Sequence, residues 1–240
     1  IRNNKVRRFE FVVGNCWQLV YGNQNGDPLL LVLAYAFKDE FNKKSISPEN
    51  IKGFDRMYQL AQLTQLPLIF IGFNRTAENI DSIYFSKDMD KIVLMPLVDL
   101  TLKFKRYGLP VKTSQTSKYL NDKTSSAYHK WQRDQLGNDI VVSDIDLWVI
   151  KNQKPNVIIE LKRSIIPIER WKPYKDDYFN FILLTKLCKK AGIKFFILYN
   201  VRQENPINDI IDRIKLFQLN FEEQLIIGEG KIYQIDKVII

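Results

Sequence analysis

Runs of β-branched and aromatic residues broken by short polar stretches dominate this chain, and they predict strands more often than helices. Phe9 to Tyr21 reads as a strand bulged at Gly14, a turn spans Gly22 to Pro28, and Leu29 to Phe37 is an apolar strand. After a polar loop from Lys38 to Asn50, Phe54, Met57, Tyr58, Ala61 and Leu63 fall near a 3.6-residue period. Ile51 to Gln65 is therefore expected to be a helix, ended by Pro67, and Leu68 to Phe73 a strand of buried type. Asn74 to Asp90 reads as a loop or short helix, and Ile92 to Val98 as a strand. Leu102 to Ser126 is basic and polar, and Ser125 to Leu136 reads as a helix.

The second half repeats the style of the first. Val141 to Ile150 and Val157 to Leu161 read as a hairpin around Lys151 to Asn156, where Pro155 suits a turn. Asp176 to Ala191 is expected to be a helix stopped by Gly192, followed by the buried strand Ile193 to Val201. Asn208 to Phe217 is expected to be a further helix, and Gln224 to Ile240 a closing hairpin around Gly228 to Gly230. In both halves a strand, an NQ-containing turn, an apolar strand, a helix and a strand (LIFIGFN or FFILYN) follow in that order. Either the first half is a degenerate copy of the second or both are generic α/β segments. The implied division is an α/β half at 1–101, a basic linker at 102–125 and a second unit at 126–240.

Composition narrows the classes. At 240 residues with 45% hydrophobic content the chain can bury a sizeable core. Its longest apolar run, Pro28 to Phe37, falls well short of the ~20 residues of a bilayer span, so no membrane is expected. The net charge of +9 favours a polyanionic partner. Cys16 and Cys188 with a single His cannot build a zinc site of the usual kind and read as buried thiols of a reducing cytoplasm. The chain opens on Ile1 rather than Met, which leaves any removed leader open.

The hairpin carries the candidate chemistry. Side chains alternate along a strand, so a single strand over Val141 to Ile150 would put Asp144, Asp146 and Trp148 on one side. Glu160 and Lys162 share a side opposite Ile159 and Leu161. Carboxylates crowded on apolar strands protonate, pair with a cation or bind a metal. With a strand carbonyl they would suit Mg²⁺ or Mn²⁺, and Lys162 would orient water or offset negative charge beside the ion. A solvated face with cross-strand ion pairs is the plainer alternative.

Asp146 followed fourteen positions later by Glu160-Leu161-Lys162 at the end of an apolar strand resembles the PD-(D/E)xK nuclease superfamily, over roughly Ser126 to Val201. The resemblance implies a restriction-endonuclease-like core: a mixed central sheet flanked by helices, in the order helix, three-stranded antiparallel unit, helix, strand. It implies a metal-dependent endonuclease, DNA favoured over RNA, with Asp146, Glu160 and Lys162 catalytic. Asp146 and Glu160 would hold Mg²⁺ or Mn²⁺, and Asp144 would assist. No Pro precedes the Asp, so Asp144 and Asp146 compete for its role; the DIDL form, which recurs among resolvase-like members, favours Asp146. Asp134 resembles the acidic residue that such enzymes carry on the preceding helix.

Arg163, Arg170, Lys172, Lys130 and Arg133 are candidate phosphate contacts. Trp171 and Tyr174 suit base stacking, or the loop is simply packed down by its Trp. His129 is an auxiliary ligand or an ordinary surface residue. Double-strand cleavage would call for two active sites and hence a homodimer. A nuclease-fold binding or partner module without turnover is the alternative. A glycosidase carboxylate pair fits the adjacent Lys and the basic charge less well.

Overall fold

Strands and short helices form where the apolar runs are, but tertiary pairing redistributes them. The computed structural model describes residues 7–12, 14–38, 53–87, 91–112 and 126–235. The chain is mixed α/β and folds into two compact units: residues 13–144 form one, and 1–12 with 145–240 form the other. This differs from the expected division at 101 and 126, because the helix and strand that follow the basic stretch join the first unit.

The 13–144 unit contains β2 (Cys16–Asn23), β3 (Pro28–Phe37), α1 (Phe54–Thr64), β4 (Leu68–Asn74), β5 (Ser82–Ser86), β6 (Val93–Pro96), α2 (Leu97–Arg106), α3 (Ala127–Leu136) and β7 (Ile140–Asp144). Its sheet runs β6-β5-β4-β3-β2-β7, antiparallel except for the β3–β4 pair that α1 bridges. Leu30, Val32, Ala34, Ile69, Ile71 and Phe73 line one face and share a core with Leu100 and Phe104 of α2 and with Tyr128, Trp131 and Leu136 of α3. The expected linker therefore begins inside a helix, since α2 covers Leu102 to Arg106 and buries Phe104; residues 113–125 lie outside the described set. Gly53 caps α1 at φ 87, against the buried amide of Gln18, where a side chain would collide.

The other unit contains β1 (Arg7–Phe11), β8 (Leu147–Lys151), β9 (Lys154–Ser164), α4 (Tyr178–Ala191), β10 (Lys194–Glu204), β11 (Ile207–Phe221), β12 (Leu225–Ile227) and β13 (Lys231–Gln234). Its order is β1-β8-β9-β10-β11-β12, with β13 also on β11; only β9 and β10 are parallel, joined through α4. Leu147, Val149, Val157, Ile159, Leu198, Ile214 and Leu216 pack on one face. On α4, Phe181, Leu184, Leu187 and Cys188 are buried, and Gly192 ends the helix in the left-handed region at φ 68.

Several expected elements differ. Phe9 to Tyr21 is two strands in two sheets, and Val141 to Ile150 likewise splits at Ile145 and Asp146 into β7 and β8. Residues 208–217 are strand, not helix: the spacing of Ile210, Ile211 and Ile214 imitates a helical stripe, but β11 pairs with β10 from Ile207 to Leu219, and β-branched residues suit that ladder. β12 and β13 each pair with β11 rather than forming a hairpin together. Among the described residues no helix is long and apolar enough to cross a membrane.

Candidate functional site

Polarity within an apolar ladder marks the end of β9. Val157, Ile158 and Ile159 are fully buried, and the next residue is Glu160, still only 7% exposed. Parallel pairing puts Glu160 beside Ile197 and Lys162 beside Tyr199 on β10, so the two polar side chains share the face that carries Ile158. A carboxylate cannot stay charged there without a cation. Lys162 supplies it, with Nζ 3.1 Å from Glu160 Oε1 and 3.2 Å from Asp177 Oδ2. The ammonium also lies over the ring of Phe181 on α4. Burial pushes the Lys162 pKa down, but Glu160 and then Asp177 more than offset this, and the group ends above its ordinary value. Lys162 is a fixed cation, not a neutral base.

Asp146 joins from just before β8, one residue short of the ladder's last pair, Leu147 with Ile159. Its Oδ2 accepts a 2.7 Å hydrogen bond from the Leu161 amide, between Glu160 and Lys162, and its own carbonyl accepts from the Val12 amide at 2.8 Å. Asp146 thus meets the amide between Glu160 and Lys162, but from the break between β7 and β8 and not from the expected single strand. Asp177, at the N-terminus of α4, is the member that sequence reasoning missed. The signal was present in Lys175-Asp176-Asp177 just before an apolar helix, but only the fold brings it to Lys162.

Asp144 is the exposed last residue of β7 and pairs with Leu19 in the sheet of the 13–144 unit. Asp134, His129, Lys130 and Arg133 stand on α3, within the 13–144 unit. There Ser126 caps α3 by accepting from the His129 amide, and Ser126 Oγ lies 2.7 Å from His129 Nδ1. The histidine ring meets Trp17 edge-on, and Lys130 Nζ donates to Asn79 at 3.2 Å. His129 thus supports a helix start. Among the described residues no three His, Cys, Asp or Glu side chains cluster as a metal site.

The segment after β9 is pinned down. Trp171 is 1% exposed and stacks on Tyr199, ring centroids 4.2 Å apart and planes within 2°, so it is core and not a base-stacking platform. Lys215 on β11 is buried and donates to the carbonyls of Glu169 at 3.0 Å and Trp171 at 2.9 Å. Burial, and after it the charge of Lys172, lowers its pKa. Tyr199 Oη lies 3.0 Å from Ser164 Oγ and bonds the carbonyls of Ser164 and Ile166. The exposed Arg170 and Lys172 are therefore carried on a held loop. Arg163, next to Lys162, is exposed and 3.4 Å from Asp209, which also binds Arg202 at 2.8 Å.

No protein-family model matches the chain, and no curated protein matches it. Among solved structures it is similar to a sex pheromone precursor from Lactobacillus salivarius subsp. salivarius, with 12% identity over 89% of this chain and 68% of that one, and a TM-score of 0.16. The C-terminal domain of the sex pheromone staph-cAM373 precursor from Staphylococcus aureus gives 13% identity over 92% and 70%, also with a TM-score of 0.16. Scores of that size carry no argument about fold or function.

Proposed function

We propose that the 145–240 unit is the catalytic part of a Mg²⁺- or Mn²⁺-dependent endonuclease that hydrolyses nucleic-acid phosphodiesters, DNA in preference to RNA. The observation that carries this is the position of Lys162 Nζ against the buried Glu160, with Asp146 bonded to the amide between them. Support also comes from the core around it: β1, β8 and β9 antiparallel, then α4, then β10 parallel to β9. This follows the order that the PD-(D/E)xK resemblance implies with β1 standing in for the first strand, while the helix implied before it, α3, belongs to the 13–144 unit.

The donor set suits a hard divalent ion: the carboxylate of Glu160 and that of Asp146, which bonds the next amide along β9, with room in the ion's shell for water. Asp146 and Glu160 would hold it, and when bound it lowers the pKa of an attacking water. Lys162, kept charged, orients that water and offsets charge gathering on the phosphoryl oxygens. The water oxygen bonds phosphorus, one P–O ester bond breaks, and the leaving oxygen takes up a proton. The exposed Arg163, Arg170 and Lys172 hold flanking phosphates.

The test is incubation of supercoiled plasmid, linear duplex, single-stranded DNA and RNA with Mg²⁺ or Mn²⁺, with Lys162→Ala alongside. Metal-dependent cleavage lost in the variant supports the assignment, and equal activity in both proteins removes it. A second reading, a nuclease-fold binding module without turnover, is favoured by the two-sided ion pairing of Lys162. Salt-sensitive nucleic-acid binding without cleavage in either metal would select it.

A further inference from the structure

We infer that the two sheets are copies of one unit that have exchanged their first strands, and that only one copy retains a cleaving centre, so that the chain nicks duplex DNA instead of cutting both strands. The product rests on the nuclease reading above; the duplication does not.

Strand order comes first. β7-β2-β3-β4-β5 and β1-β8-β9-β10-β11 carry the same sequence of pairings, antiparallel, antiparallel, parallel, antiparallel, with α1 and α4 as the bridging helices. Such an order is common enough to arise twice. The register is less generic. In both hairpins the ladder slips by one residue at a proline: Tyr21 pairs with Leu30 and Gly22 with Pro28, while Val149 pairs with Val157 and Ile150 with Pro155. Proline donates no ladder hydrogen bond, which suits a bulge there.

Counting from these prolines matches Leu31 with Ile158, and their parallel partners Leu68 and Phe195 then match without any shift. Leu33 falls on Glu160, Tyr35 on Lys162, and Gln18, opposite Leu33, on Asp146. Leu33 is fully buried and Gln18 3% exposed, and neither is a charged oxygen donor. The 13–144 unit therefore lacks the centre at the positions where its twin has one.

Connectivity shows the exchange. β1 precedes β2 in the chain but pairs with β8, and β7 immediately precedes β8 but pairs with β2. One centre per chain hydrolyses one phosphodiester at a time, so a chain acting alone cuts the complementary strand only in a second, independent event.

Three measurements on the full chain test this. Mn²⁺ titration by calorimetry is expected to give one equivalent per chain, lost in Glu160→Gln and kept in Leu33→Met. Supercoiled plasmid is expected to accumulate as nicked circle, with linear product appearing only after a lag. Phe9→Cys with Val149→Cys should cross-link within the chain on oxidation, and Phe9→Cys with Tyr21→Cys should not. A metal equivalent that persists in Glu160→Gln would overturn the single centre, and linear product without a lag would overturn the nicking product, both leaving the nuclease reading intact. No bound metal and no cleavage of any substrate would remove that reading and the nicking product with it. Cross-linking of the second cysteine pair in place of the first would overturn the exchange.

Discussion

The ends of β3 and β9 are the instructive contrast. Each strand bulges at a proline near its start, runs parallel to a strand delivered by a helix, and continues through fully buried aliphatic residues, Leu30 to Val32 and Val157 to Ile159. β3 continues with the fully buried Leu33 and the half-buried Tyr35, both uncharged; β9 continues with Glu160 and Lys162, which the core tolerates only as a pair. The ladder sets where a side chain points and is indifferent to what it carries. Charge follows the same split: residues 13–144 hold 16 Lys and Arg against 14 Asp and Glu, and the rest of the chain holds 20 against 13. Most of the positive excess thus lies in the unit with the polar strand end, the side on which the proposed nucleic-acid substrate would need it.

The contrast breaks most directly in activity. Glu160→Gln is expected to lower metal-dependent cleavage by roughly 10²–10⁴-fold, the range for a group acting in the transition state, while Tyr35→Phe leaves it unchanged. Initial rates on a nicked-plasmid assay, with folding checked by circular dichroism, decide it; similar losses at both positions would erase the distinction between the units.

Stability separates the segment after β9 from a mobile arm. Trp171→Ala removes a ring stacked on Tyr199 and is expected to cost about 3–5 kcal/mol, read as a fall in the urea midpoint at unchanged slope. A loss below about 1 kcal/mol would mean that the loop is not anchored by its Trp.

Asp177 sharpens the site itself. Asp177→Asn leaves Lys162 its Glu160 partner, so cleavage is expected to fall by only about tenfold, in kcat more than in KM, with Asp177→Glu recovering part of it. The Lys162 ion pairs also have a pH signature. Because the folded-state pKa lies above the ordinary 10.5, their contribution is fully present below pH 10.5 and is lost as pH rises through the folded value. The stability gap between wild type and Lys162→Met should therefore stay constant from neutral pH to about 10 and close above that; a gap that closes near pH 8 would contradict the charged pairing.

The smallest effect is on the thiols, one in each unit. Burial raises the Cys16 pKa to about 12 and pushes Cys188 up as well. Neither should react with a disulfide reagent at pH 8 in the folded chain. Labelling in submolar urea, followed by mass mapping, reports which unit opens first. Simultaneous labelling would show one cooperative transition through the exchanged strands.

Strand alternation, read from residues alone, was enough to put Glu160 and Lys162 on one side opposite Ile159 and Leu161, and the stop at Gly192 and the buried strand after it were equally legible. These are local matters, governed by backbone period and the conformational freedom of glycine. Which strand pairs with which was not local. The run from Phe9 to Tyr21 looks continuous, yet its halves serve different sheets, and Asp144 and Asp146, two residues apart, end in different units. Nor could spacing reveal that Asp177 meets Lys162, that Trp171 lies flat on Tyr199, or that the isoleucines of β11 belong to a ladder. Period and propensity are properties of neighbours along the chain, whereas those contacts exist only because β10 and β11 bury residues that lie tens of positions away, and burial is decided by the whole.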